Sequence, residues 1–348
     1  MNKSYLFIQP LDTLFFRSGK PFSKGEEAFV DSSMIIPYPS VIWGALFTSL
    51  CINSGEERLQ KFSIKDEDLQ KLQIHHVYLH NPVLSKTLVP APLDLFVDEK
   101  RDYFFTEKYI NNPLSNVPFS TLVKPSIKDA EREENLFINI EDLFESYSAR
   151  QNHRTTVYKP DDFSTKNPKV GIALSKTSRT TVNEQFYKVE MVEFAENWGF
   201  LVEYESDYAF DNGILKLGGE GKLASFQKVE QPNIPISSTG IEQAKYVKVY
   251  IQSPTFWKSG DGIEELNNID GFELVSASIG KYLSIGGFDV NKKEPKPMKK
   301  ALPAGSIYLF KKLNHNSNLA DNIKTLIAKN TANSNGFGKF QVIPFKEN

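Results

Sequence analysis

The sequence predicts an α+β fold built from two repeated β-α-β-β-α-β units, and three observations carry that expectation. The 348 residues exceed what one hydrophobic core usually serves, so length favours two domains. Strand-like alternation and helix-like spacing follow one another in the same order in both halves, on either side of a Pro-, Ser- and Gly-rich stretch, QPNIPISSTG, at 231–240. A Gly-x-Gly-Lys turn occurs twice, as LGGEGK at 217–222 and within NGFGK at 335–339, each leading into an apolar strand. The expected domains are residues 1–235 and 236–348.

The elements of the first half follow from local pattern. Tyr5 to Ile8 alternate and stop at Pro10, which reads as a strand. In PYPSVIWGALFTSLCIN, Ser40 reads as an N-cap ahead of Val41, Ile42, Ala45, Leu46 and Leu50 at helical spacing. IHHVYL at 74–79 is a further strand. A Pro-rich, polar stretch follows, and about 95–165 reads as a long insertion. KVGIALSKTSRTT, QFYKVEMVEFA and WGFLVEYES then alternate in sheet fashion, and the first glycine turn leads into LASFQKV. The second half repeats this order: the strand YVKVYI, then FELVSASIG and GSIYLFKKL, a helix around SNLADNIKTLIAKN, and the closing FQVIPF. Aligning the two turns pairs Gly219 with Gly336, Gly221 with Gly338 and Lys222 with Lys339, so each is expected to join a second helix to a last strand.

Composition excludes several classes. No apolar run approaches the roughly 20 residues of a membrane span, and the N-terminus reads as a strand rather than a signal peptide, so a cytoplasmic protein without a membrane partner is expected. The single cysteine, Cys51, sits in ALFTSLCI and reads as a buried thiol, not a nucleophile. With 41 basic and 43 acidic residues the net charge is -2, which argues against an all-over basic coat. The charge is segregated, however. From Ala149 to Lys188 there are eight basic residues against three acidic ones, whereas Glu190 to Asp211 holds seven acidic residues and no Lys or Arg. The first stretch suits an RNA-sized positive groove; the second suits a basic partner or an ordinary solvated face.

Most catalytic readings fail on spacing. A phosphate loop of Walker type would need a glycine where Lys216 stands and Ser or Thr where Leu223 stands. A two-metal palm would need an acid adjacent to Glu220. His76 and His80 would share a helical face, but their surroundings favour a strand and supply no third zinc ligand. The enzymatic rival is a metal-independent ribonuclease with His153 as base and Arg150 and Arg154 beside it. The same residues serve equally as phosphate and base contacts, interleaved with Tyr158, Phe163 and Tyr187. A second basic cluster, GGFDVNKKEPKPMKKALPAGSIYLF, brings Lys292, Lys293, Lys296, Lys299 and Lys300 onto a segment that its prolines keep extended. Neither cluster calls for a cofactor or a metal.

Taken in order, DTLFFRSGKPF, PYPSVIWGALFTSL, VGIALSKTSRT with FYKVEMV, LGGEGK, GGFD with ALPAGSIYLF, and NGFGKFQVIPF resemble the RAMP-family third subunit of the Cmr (type III-B) CRISPR effector complex. The similarity spans nearly the whole chain. It departs from the pattern at Phe288, where Trp is expected, and in an overall charge less basic than an RNA binder suggests. The resemblance implies two ferredoxin-like, RRM-related domains and a non-catalytic subunit. That subunit grips the repeat-derived 5′ tag of the guide RNA between the large polymerase/cyclase-type subunit and the first backbone RAMP subunit. Carried over by motif, its RNA contacts fall on Gly218, Gly219, Gly221, Lys222, Lys176 and Arg179. Arg150, His153, Arg154, Lys299 and Lys300 join them from the basic clusters. Two alternatives stay open: a RAMP-type endoribonuclease that processes guide RNA, and a type III-A counterpart of the same binding subunit.

Overall fold

The computed structural model describes residues 3–16, 28–30, 34–53, 65–100, 102–105, 108–111, 121–124, 128–148, 153–174, 181–235, 241–289, 291–313, 318–330 and 335–345. The chain opens with β1 (Ser4–Pro10), β2 (Ala28–Val30), α1 (Pro39–Asn53), α2 (Asp66–Lys71) and β3 (Leu72–Asn81). Next come β4 (Lys86–Pro90), β5 (Phe96–Val97), β6 (Tyr103–Phe105), β7 (Lys108–Asn111), β8 (Thr121–Lys124), β9 (Phe137–Asn139) and α3 (Ile140–Ser148). β10 (His153–Thr155) and β11 (Val157–Tyr158) precede two long strands, β12 (Ser164–Leu174) and β13 (Thr181–Phe194). β14 (Gly199–Ser206), β15 (Asn212–Lys216) and β16 (Leu223–Val229) complete the first half. The second half runs β17 (Tyr246–Ile251), α4 (Ile263–Leu266), β18 (Phe272–Ser278), β19 (Leu283–Ile285), β20 (Phe288–Asp289), β21 (Glu294–Pro295) and β22 (Lys299–Ala301). It ends with β23 (Ile307–Lys312), α5 (Leu319–Asn330) and β24 (Phe340–Phe345).

These elements form two compact units, each assembled from separate stretches of chain. The first comprises Met1–Ser85, Pro160–Gln231 and Ser284–Lys299; the second comprises Lys86–Lys159, Pro232–Leu283 and Lys300–Asn348.

In the first unit β3, β14, β1, β16 and β15 lie side by side, all antiparallel. Counting β1, β3, β14 and β16 as first to fourth gives the order 2-3-1-4, the ferredoxin-like arrangement, with α1 as the first crossover. α1 begins at Pro39, two residues earlier than an N-cap at Ser40 would give, so Ser40 lies within the first turn and the Tyr38 carbonyl accepts the first amides. Its apolar residues are buried on most sides, Cys51 included, and the Trp43 indole donates to the Leu72 carbonyl at 2.8 Å. No second helix separates β14 from β16 here. β15 takes that place, so LGGEGK closes a β-hairpin instead of following a helix as the sequence alignment of the turns suggests. β12 and β13 form a second long hairpin, joined at Val192 to Leu14 by paired backbone bonds of 2.7 and 2.8 Å.

The second unit contains the same order again: β18, β23, β17, β24, all antiparallel, with α4 and α5 as crossovers. One face builds the core. Val247, Val249 and Ile251 of β17 pack with Leu266 of α4, Phe310 of β23 and Ile323 of α5. The opposite face is covered by residues that begin before the expected insertion, from β4 onward. Tyr250 donates to the Pro90 carbonyl at 2.6 Å, the Leu93 amide bonds the Gly305 carbonyl at 2.8 Å, and α3 packs on β24. The molecule is thus α+β, with two ferredoxin-like domains in tandem. Among the described residues no helix is long and apolar enough to cross a membrane.

Candidate nucleic-acid interface

An RRM-like sheet binds RNA on a bare face carrying aromatic rings. Among the described residues neither ferredoxin-like sheet offers one. On β1, Tyr5 and Phe7 point to one side and Leu6 and Ile8 to the other, and all four are buried. On β17, Lys248 and Tyr250 are buried against Asp94 and Pro90. Burial raises the hydroxyl pKa of Tyr5 to about 12, with the Glu203 carboxylate adding to the effect. Among the described residues, the surface left for a ligand therefore lies on turns, hairpins and loops.

The β15–β16 turn is the best defined of these. Gly218, Glu220 and Gly221 all hold left-handed backbone, at φ 76°, 58° and 68°, and the Leu217 amide closes the turn on the Lys222 carbonyl at 2.9 Å. Each glycine has its own reason. A Cβ on Gly218 would stand 2.6 Å from the Phe15 carbonyl oxygen, and one on Gly219 would stand 2.9 Å from the Phe15 ring. The Gly219 amide already donates to Phe15 at 2.9 Å. These two glycines seat the turn on its own domain. At Gly221 a Cβ would meet nothing within 4 Å, so this face is open. The amides of Glu220 and Gly221 have no acceptor among the described residues.

Two ion pairs frame the turn. Lys222, largely buried, holds Asp12 at 2.7 Å, and that hydrogen bond, followed by the Thr13 amide, keeps the Asp12 carboxyl below its ordinary range. Lys169, from β12, holds Glu220 at 2.5 Å. Sequence reasoning missed Lys169 as a member of this site, because the neighbour that matters is 51 positions away and only the β12–β13 hairpin delivers it.

The other expected contacts are dispersed. Arg154 lies on β10 in the second unit, 69% exposed and paired with Asp102, and His153 precedes it, aligned with Phe105 of β6. Lys299 and Lys300 lie exposed on β22, with the Lys300 ammonium 4.6 Å from the centre of the Tyr282 ring. Arg150, Lys176 and Arg179 fall outside the described residues. The second glycine turn is packed inward. Gly338 has φ 75°, its Cβ would stand 2.5 Å from Ile327, and its amide donates to Pro254.

Four of the seven carboxylates of the acidic stretch are answered from within. Glu190 pairs with Lys166 at 2.8 Å, Glu193 accepts from Asn167, Glu203 pairs with Lys3 at 2.5 Å and Glu205 lies 3.4 Å from His75. Glu203 is only 3% exposed, so it is an interior group, not part of a docking face. Among the described residues no cluster of three His, Cys, Asp or Glu side chains is placed to hold a metal.

A tandem pair of ferredoxin-like domains, with both sheet faces covered and a glycine-rich turn before each last strand, is the architecture of a RAMP-type subunit. The chain belongs to the Cas_Cmr3 family of CRISPR-associated proteins, whose family model matches residues 6–344, and so to the type III-B Cmr effector subunits. It is similar in fold to a chain of the type III-B Cmr-beta complex solved by cryo-EM with cognate target RNA and AMPPnP. That match has a TM-score of 0.52 and 18% identity, and covers 88% of this chain and 86% of that one. A chain of the same complex with cognate target RNA alone gives a TM-score of 0.51 at 17% identity, over 88% and 86% of the two chains. None of the curated proteins compared matches the sequence.

Proposed function

We propose that this chain is a non-catalytic subunit of a type III-B CRISPR ribonucleoprotein that holds the 5′ tag of the guide RNA and bridges the large polymerase/cyclase-type subunit to the backbone RAMP subunit. The observation that carries the RNA contact is the open side of the β15–β16 turn. There the two unbonded amides of Glu220 and Gly221 lie in a left-handed stretch beside Lys169 and Lys222, an arrangement suited to a phosphate oxygen. Gly218 and Gly219 shape that turn, and Gly221 is where a backbone would come close. Lys176 and Arg179, between β12 and β13 in sequence, and Arg150, His153, Arg154 and Lys300 are further RNA contacts in this reading.

The test is tag binding by the assembled complex with tagged and untagged guides. Gly221→Ala puts a Cβ in the open space, and Lys169→Ala removes a cation without touching the turn's backbone. Each is expected to cost about 1 to 3 kcal/mol of tag binding while assembly persists. Unchanged preference for the tagged guide in both would defeat the assignment. The nuclease alternative is separated by incubating the chain with labelled repeat RNA, with and without magnesium. Intact RNA is expected, and cleavage abolished by His153→Ala would replace the binding reading.

A further inference from the structure

The cations already placed at the turn are tied to carboxylates, but those of the 284–299 segment are not. Among the described residues, Lys292, Lys293, Lys296 and Lys299 are all exposed and none has an acidic partner. The segment is nonetheless a built ribbon. β20 and β21 pair Phe288 with Pro295 and Asp289 with Glu294, and the Lys296 amide returns to the Gly287 carbonyl at 2.9 Å. The Asp289 carboxylate is taken up in the tip, accepting the Asn291 and Lys292 amides at 3.1 Å. The Met298 side chain lies where a Cβ on Gly286 would stand, so the absent side chain makes room for the return strand. Beside the four lysines, the Phe288 ring is 57% exposed and Met298 50% exposed.

An aromatic ring left in water among uncompensated lysines, on an extended two-stranded ribbon, matches what unpaired nucleic acid requires. The lysines meet successive phosphates, and a ring face takes a base of any sequence. We propose that this ribbon is a second RNA contact, distinct from the glycine turn, that binds single-stranded RNA without sequence preference through Lys292, Lys293, Lys296, Lys299 and a stacking platform at Phe288. It rests on the preceding reading only in taking RNA as the polyanion. A duplex would not reach the ring, and an acidic protein surface would use the lysines but gain nothing specific from a flat aromatic face.

The experiment measures binding of the purified chain to a labelled oligouridine, and to a duplex of the same length, over a salt series. Phe288→Ala should weaken the single strand about tenfold with the salt slope unchanged. Replacing the four lysines by alanine should reduce the slope of log affinity against log salt by about 2 to 3. Both variants should lower affinity for tagged and untagged guides by the same factor, whereas failure of the tag reading would show only in Gly221→Ala and Lys169→Ala. Three results would overturn the ribbon proposal: oligouridine affinity unchanged in both variants, a loss from the lysine variant alone with equal binding to duplex, or intact RNA binding with loss only of association with another subunit. Phe288→Tyr, which keeps a ring face, should restore binding, and failure to do so would also count against stacking.

Discussion

Lys248 shows how a single residue fixes the role of a whole surface. It sits in the middle of β17, 1% exposed, with its ammonium 2.8 Å from Asp94 and within 4.5 Å and 4.2 Å of the centres of the Tyr147 and Phe345 rings. Tyr147 in turn donates to Asp94 at 2.6 Å. A charge this deep is tolerated because its carboxylate partner and two ring faces replace water. Removing only the partner leaves the ammonium stranded. Asp94→Ala is therefore expected to destabilise the fold by about 3 to 5 kcal/mol, and Asp94→Leu combined with Lys248→Met should recover most of that loss in urea unfolding. If the single change cost less than a surface ion pair does, Lys248 would have to reach water by another route.

At the scale of elements, the two glycine turns share a motif and differ in cause. The first closes a hairpin because β15 replaces a crossover helix, and its last glycine faces open space. The second follows α5 and tucks Gly338 against Ile327 of that helix. Gly338→Ala combines left-handed strain with a clash in the core and should cost about 2 to 4 kcal/mol of stability. Gly221→Ala carries the backbone strain alone and should cost about 1 to 2 kcal/mol. Paired thermal and urea unfolding of the two variants checks the ranking, and equal costs would show that Gly221 also packs against something.

For the whole molecule, the stretch that interrupts the first ferredoxin-like domain in sequence belongs to the second compact unit as residues 86–159, whereas 160–165, the end of the insertion expected at about 95–165, belongs to the first. Described residues of that stretch cover the sheet face that an RRM-like domain leaves bare, through Tyr250 to Pro90, Lys248 to Asp94, and Arg132 to Ser278 at 3.1 Å. Local stability should follow that grouping. In native-state hydrogen exchange, the amides of Leu93 and of Leu143 in α3 are expected to open together with Val249 in β17. Exchange of Leu143 far ahead of Val249 would mean that the insertion is laid on the sheet without being part of its cooperative unit.

The sequence by itself determined the α+β class, the β-α-β-β-α-β order of the second half, the strands 5–8 and 74–79, the helices around 40–50 and 319–330, and a buried Cys51. Each of these depends on periodicity or composition over a few neighbouring residues, which a linear reading captures. The family resemblance was legible as well, since it rests on six short motifs in order. The replacement of a helix by β15 was not legible, because NGILK at the sheet edge has no pattern that separates it from a loop. Nor were the Lys169 contact to Glu220, the pairing of the acidic stretch with Lys3 and Lys166, or the burial of Lys248 under Asp94. Only the tertiary structure decided these, since an ion pair is set by distance in space between residues 24 to 200 positions apart, and a lysine carries no mark in sequence of whether water or a carboxylate will meet it.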